Sequence, residues 1–139
     1  MYVEQSWDVG ERVGALVALS QRLDLRPGPG GSCATARRET ESLFAPVVGD
    51  VFRGAWTGAM LVGLHPSSQI VAHRDPPIRG RRVHLPLAVN EGCWVFHGGI
   101  WQQLTVGRGY QMDPAEEHGA VNWGSTLRVH LVIDLAEER

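Results

Sequence analysis

From about residue 51 onward the chain is interrupted every few residues by glycine, proline or asparagine, and the runs between these interruptions are short. Each run is either apolar or alternates apolar with polar, which is the pattern of strands. The spacing predicts strands near residues 52–57, 59–64, 70–73, 81–87, 93–97, 100–104, 110–113, 118–122 and 127–135. Gly98-Gly99, between Trp94-Val95-Phe96-His97 and Ile100-Trp101, is a two-residue hairpin signal. Many short strands with turn signals between them predict an all-β sandwich or barrel.

Eight-stranded double sheets of this kind are jelly rolls. The expected fold is therefore mainly β, a double-stranded β-helix of cupin-like type with one or two N-terminal helices packed on the outside. Residues 8–24 place Val9, Val13, Leu16, Val17 and Leu23 near one face of a 3.6-residue period. Asp8 with Glu11 makes a capping box for that helix. Residues 35–44 predict a short second helix that ends before Pro46. Between the two, Arg26-Pro27-Gly28-Pro29-Gly30-Gly31 breaks the chain and reads as a flexible connector, with a lid as the alternative. It is not a phosphate loop, because no Gly-Lys-Ser/Thr follows. A chain of 139 residues is expected to be one domain, with its helical and glycine-rich part over 1–50 and its jelly-roll core over 51–139. Such a length buries about two thirds of the unfolded surface.

Strand alternation sorts the polar residues by face. In 81–87, Val83, Leu85 and Leu87 share one face, and Arg82, His84 and Pro86 the other. In the last strand Leu127, Val129, Leu131, Ile133 and Leu135 form an apolar face, and Arg128, His130, Val132 and Asp134 point the opposite way. His118, Ala120 and Asn122 share a face, as do Val71, His73 and Asp75. Polar faces in water would produce the same pattern. The gathering of ligand-type residues favours the other arrangement, with apolar faces against helices and polar faces inside a barrel mouth.

Two histidines and one carboxylate can hold a metal by one face and leave the other face open, as in non-haem iron(II) sites. His73-Arg74-Asp75 with the distant His118 has that composition, although a lone His-x-Asp can equally be a surface loop. Arg128 begins the apolar final strand, where a guanidinium can take a carboxylate in a bidentate pair or form a strand-end salt bridge.

Taken together, His65-Pro66, His73-Arg74-Asp75, Arg82-Val83-His84-Leu85, Gly92, Gly109, His118, Asn122 and Arg128-Val129-His130-Leu131-Val132-Ile133-Asp134 resemble the aspartyl/asparaginyl β-hydroxylase family of 2-oxoglutarate- and Fe(II)-dependent oxygenases. The similarity covers roughly residues 56–135. It implies His73 and His118 as iron ligands and catalytic centre, with Asp75 in the place of an acidic third ligand that some members lack. It implies Arg128 as partner for the distal carboxylate of 2-oxoglutarate, and Arg82 and His84 near the cosubstrate's other end. With O2, the implied reaction couples decarboxylation of 2-oxoglutarate to hydroxylation of an amino acid, free or in a peptide, at or near the β-carbon. The first fifty-odd residues match nothing of this pattern, which leaves the substrate open.

Other residues carry plainer readings. His84 reads equally as a hydrogen-bonded core residue. His130 reads as structural, His65 and His97 as unassigned, Asn122 as shaping a turn, and Arg79 and Arg81 as a solvated loop. Trp7, Trp56, Trp94, Trp101 and Trp123 read as core or rim packing, with one or two free to line a substrate pocket. No apolar run reaches the ~20 residues of a membrane span, and no secretory signal opens the chain. Cys33 and Cys93 are too few for a disulfide framework, which suits a reduced, cytoplasmic setting. A net charge of −2, with arginine as the only strong base, gives no reason to expect nucleic acid or membrane partners. The expected partner is a small amino-acid or peptide substrate. Two alternatives stay open: a cupin-type metal dioxygenase or isomerase that does not use 2-oxoglutarate, and a non-catalytic ligand-binding domain.

Overall fold

The computed structural model describes residues 1–5, 7, 9–34, 37–53 and 55–137. In chain order its elements are β1 (Val3–Gln5), α1 (Val13–Ser20), β2 (Ser32–Ala34), α2 (Arg37–Phe52), β3 (Trp56–Leu64), β4 (Ser68–His73), β5 (Arg81–Ala88), β6 (Cys93–His97), β7 (Ile100–Gln102), β8 (Gly109–Met112), β9 (His118–Asn122) and β10 (Arg128–Leu135). The strands form two antiparallel sheets, in the orders β1-β8-β5-β10-β3-β2 and β4-β9-β6-β7. This is the mainly-β double-sheet fold that the run of short strands predicts.

The alternation of β5 and β10 places their two faces in two different cores. Val83, Leu85, Leu87, Val129, Leu131, Ile133 and Leu135 turn outward and pack with Leu16 of α1 and Phe44, Val48 and Phe52 of α2. The opposite faces look between the sheets, where Leu64, Val95, Leu104, Tyr110, Met112 and Ala120 close around Tyr2. The six-stranded sheet is thus covered on both sides, as the grouping of polar residues suggests. Pro86 has no N–H for the ladder, and the β5–β10 register shifts by one residue between Val129 and His130, which face Ala88 and Pro86.

Several local expectations are corrected. The first helix is shorter than 8–24: a 3-10 turn at Gly10–Arg12 leads into α1 at Val13. Asp8 of the expected capping box lies outside the described residues. The second helix does not stop before Pro46 but runs through it to Phe52. Thr40, Phe44, Val48 and Phe52 recur every fourth residue and are buried, whereas Ser42 and Pro46 are exposed. Packing on one stripe therefore outweighs the missing Pro46 hydrogen bond, and water can take the freed Ser42 carbonyl. The strand expected at 52–57 begins only at Trp56, and it runs unbroken with the one expected at 59–64 as β3.

The glycine-rich run is not a free connector. Gly30 and Gly31 take positive φ values of 74° and 79°. The run then delivers Ser32–Ala34 to the edge of β3, and the Gly31 carbonyl accepts from His65 N–H at 2.8 Å. It sits beside Ser68, at the end of β4 paired with Asn122. His73 is at the other end of that strand, five residues away, or roughly 16 Å. The Gly98-Gly99 hairpin forms as expected, with φ values of 58° and 86°. Cys33 and Cys93 are free thiols. No described helix is long and apolar enough to cross a membrane.

Candidate active site

His73 and His118 end adjacent strands of the four-stranded sheet and face each other across the β4–β9 ladder. The register makes this meeting possible. Ile70 pairs with Ala120 and His73 with His118, so three steps on β4 match two on β9. That bulge turns both Ile70 and His73 toward one cavity. Val71, expected on the face of His73, instead lies 69% exposed on the outside. Gly119 makes room for the bulge: a Cβ there would lie 2.6 Å from the Ile70 carbonyl oxygen. Asp75 lies past the end of β4, in a loop held by its own N–H donating to Pro114 O at 2.9 Å.

One ligand atom from each of His73, Asp75 and His118 lies within 4.8 Å of the others. His73 Nε2 is 3.6 Å from Asp75 Oδ1, and His118 Nε2 is 3.2 Å from Asp75 Oδ2. Each imidazole is fixed from behind, with Nδ1 at 2.7 Å from Val71 O in His73 and 2.8 Å from Glu116 O in His118. A carbonyl only accepts, so Nδ1 carries the proton in both rings and Nε2 offers its lone pair to the shared point. Two imidazoles and a carboxylate converging in this way fit Fe(II) or a similar divalent ion.

The cavity behind these residues has a volume of about 170 Å³ and is lined by Tyr2, Met60, Val62, Ile70, Met112 and Val132, with Arg82, His84 and Arg128 among the polar groups. That is smaller than the ~300–1,000 Å³ of drug-sized pockets and suits a compact metabolite. Arg128 is 3% exposed, and its Nε has no hydrogen-bond partner. No described carboxylate pairs with it, and burial lowers its pKa from the ordinary arginine value. Among the described residues, its strand-end position on β10 therefore produces no salt bridge.

His84 and His130 lie side by side with Nδ1 atoms 3.0 Å apart. Burial, then the charge of Arg128, lowers His84 to about 3, and the same two causes hold His130 well below the usual range. Both rings are neutral near pH 7. Arg82, on the same cavity wall, pairs with Asp134, donating from Nε at 2.8 Å and Nη2 at 3.2 Å, with Nη1 3.8 Å from Asp75 Oδ2. The hydrogen bond with Asp134 raises its pKa further.

Sequence reasoning missed Tyr2. Gln102 clamps it by both backbone groups, accepting from Tyr2 N–H at 2.7 Å and donating to Tyr2 O at 3.0 Å. Its ring stands edge-on to His84 at 5.1 Å. Burial pushes its phenol up to about 12, with Arg128 and Arg82 pulling it back in part. A lone tyrosine at the second position has no periodicity that could have flagged it. Asn122 is fully buried and donates to Leu64 O and Thr126 O at 2.8 and 2.9 Å, shaping the 122–126 turn as expected. His65 ties to Leu25 O and His97 to Asp113 O. No tryptophan lines the cavity; Trp94, Trp101 and Trp123 are exposed.

The chain is similar in fold to several solved structures. A viral collagen prolyl hydroxylase from Paramecium Bursaria Chlorella virus-1, solved as a 2OG complex, matches with TM-score 0.66 and 9% identity over 99% of this chain and 96% of that one. A Pseudomonas putida prolyl-4-hydroxylase matches with TM-score 0.64 and 14% identity, over 99% and 93%. TT1209 from Thermus thermophilus matches with TM-score 0.55 and 18% identity, over 86% and 95%. No curated protein matches the sequence. The model of the family described as aspartyl/asparaginyl beta-hydroxylase matches residues 33–138, a span holding every cavity residue named above except Tyr2. With three quarters of its length matched, the chain belongs to the aspartyl/asparaginyl β-hydroxylase family.

Proposed function

We propose that this protein is a 2-oxoglutarate- and Fe(II)-dependent dioxygenase that hydroxylates an amino acid, free or within a peptide, at or near its β-carbon. His73, Asp75 and His118 would hold the iron, and Arg128 would take the far carboxylate of 2-oxoglutarate. The observation that carries this reading is Arg128, a buried guanidinium without a described acidic partner on the wall of the cavity that holds the three ligands. A buried cation without an anion is costly. A dicarboxylic acid reaching from the metal position to Arg128 supplies that anion. A cupin-type enzyme whose ligands carry no carboxylate leaves that charge without a described partner.

Iron and 2-oxoglutarate, when bound, would supply the oxygen-activating chemistry. The chain's own part is to hold, orient and exclude water. The Nδ1 bonds to Val71 O and Glu116 O fix both imidazole planes. Met60, Val62, Ile70, Met112 and Val132 give the cavity apolar walls that strengthen the Arg128–carboxylate pairing. Tyr2 keeps its phenolic proton at neutral pH and can donate it to a carboxylate oxygen. His84 and His130 stay uncharged, so they add no second cation beside Arg128. The substrate class rests on the family's description, because the likeness to prolyl hydroxylases is one of fold.

Anaerobic titration of the Fe(II)-loaded protein with 2-oxoglutarate tests the proposal. A saturable visible charge-transfer band is the expected result. Iron bound without such a band would remove 2-oxoglutarate from the reading, and failure to bind iron would remove both.

A further inference from the structure

Arg82 stands between two carboxylates. One edge of its guanidinium is taken bidentately by Asp134, at 2.8 and 3.2 Å. The remaining nitrogen, Nη1, lies 3.8 Å from Asp75 Oδ2, an ion-pair distance beyond hydrogen bonding. That oxygen is the one 3.2 Å from His118 Nε2. The Arg82 and Asp134 side chains are mostly buried, at 18% and 15% exposed, whereas Asp75 is 37% exposed at the rim. The Asp75 backbone is tied to Pro114, but among the described residues only His73, His118 and Arg82 reach its carboxylate. Asp75 therefore has a fixed base and a side chain that one buried cation can aim.

We propose that Arg82 is a positioning residue for the third metal ligand. Anchored on Asp134, it holds the Asp75 carboxylate at the point where His73 and His118 converge. The inference rests on reading those three residues as ligands, and it gives Arg82 a task distinct from binding the cosubstrate.

The sign of the effect separates this role from mere proximity. A cation beside a divalent metal repels it, so deleting the Arg82 charge would tighten the metal if Arg82 were only a neighbour. Deleting a group that orients a ligand loosens the metal, typically ~10–100-fold.

Co(II), titrated into the full chain and followed by visible absorption, provides the probe. Arg82→Gln is expected to weaken Co(II) about 10–100-fold, in line with other groups that orient a ligand. Asp134→Asn should weaken it in the same direction, and Arg82→Lys should recover part of the loss. In an Asp75→Ala background, Arg82→Gln should cause no further weakening, which makes the pair a double-mutant cycle. Unchanged or tighter Co(II) binding by folded Arg82→Gln overturns the inference, as does equal weakening with and without Asp75. If Arg82→Gln does not fold, Arg82→Lys and Asp134→Asn decide: unchanged affinity in both overturns it. His118→Ala keeps the two readings apart. If wild-type Co(II) binding does not depend on His118, the ligand assignment itself falls and this inference with it. If it does depend on His118 but not on Arg82, only this inference falls.

Discussion

His84 and His130 approach Nδ1 to Nδ1 at 3.0 Å, so one ring must donate and the other accept. A proton on both facing nitrogens would break that bond and add a charge beside Arg128. Burial, and then the charge of Arg128, lowers His84 to about 3 and keeps His130 well below its usual range. In the unfolded chain both titrate near 6.5. Between those values the unfolded state binds more protons, so stability rises with pH across the window. The contribution is complete above about pH 6.5 and is lost as pH falls toward the folded values. Urea unfolding at pH 7 and pH 5 should show lower stability at pH 5, with a smaller difference in His84→Gln. Imidazole resonances of both residues should stay flat by NMR from pH 8 to pH 5; movement of either would contradict the neutral pair.

Arg128→Met should separate binding from stability. Each charged hydrogen bond lost to a carboxylate costs about 1.5–3 kcal/mol, so 2-oxoglutarate affinity, measured calorimetrically on the Fe(II)-loaded protein under anaerobic conditions, should fall at least about tenfold. The same substitution removes a buried cation without a described acidic partner, so the apo protein should melt higher than wild type. A lower apo melting temperature would mean that the charge is satisfied in a way the cavity does not reveal.

Gly119→Ala should damage the site without touching a ligand. Its Cβ would lie 2.6 Å from Ile70 O and 3.1 Å from Ala72 N, so the bulged stretch of β4 must retreat. Overpacking of this kind costs about 1–3 kcal/mol. Because the bulge sets the direction of His73, Co(II) affinity should fall together with the melting temperature. A loss of stability with metal affinity intact would uncouple the bulge from the ligand.

Pro46→Ala should stabilise the protein. Proline within a helix costs about 3 kcal/mol relative to alanine, and the greater freedom of the unfolded alanine chain returns about 0.4–1 of that. Pro46 is exposed, so no packing is lost. A gain of about 2 kcal/mol corresponds to a rise of about 4–8 °C in thermal unfolding. No rise would indicate that α2 is already bent to accommodate the ring.

What could be read from the chain alone follows from how local each signal is. The faces of β5 and β10 were legible because alternation is written into consecutive residues, and the Gly98-Gly99 hairpin because positive φ selects glycine. β1 and β2 were not, since three residues are too few to show a period and their partners lie far along the chain. The continuity of α2 through Pro46 depends on Phe44, Val48 and Phe52 having a sheet to pack against. In the site, residue type made His73, Asp75 and His118 candidate ligands and Arg128 a candidate carboxylate partner, and the family resemblance singled them out from equally plain readings. The bulge that aims His73 did not, because register belongs to a pair of strands. The link from Asp134 through Arg82 to Asp75 joins three elements and has no linear trace.

The clamp of Gln102 on Tyr2 spans 100 residues of chain, and β1 pairs with Gly109–Gln111 of β8. Tyr2 and β1 therefore have no place until the chain as far as β8 has been made. Contacts of such sequence separation form slowly, because loop closure precedes any gain from them. One wall of the cavity is thus available only when β7 and β8 have been made, and ligand capture becomes a late event that can lock the finished barrel but cannot guide its earliest steps.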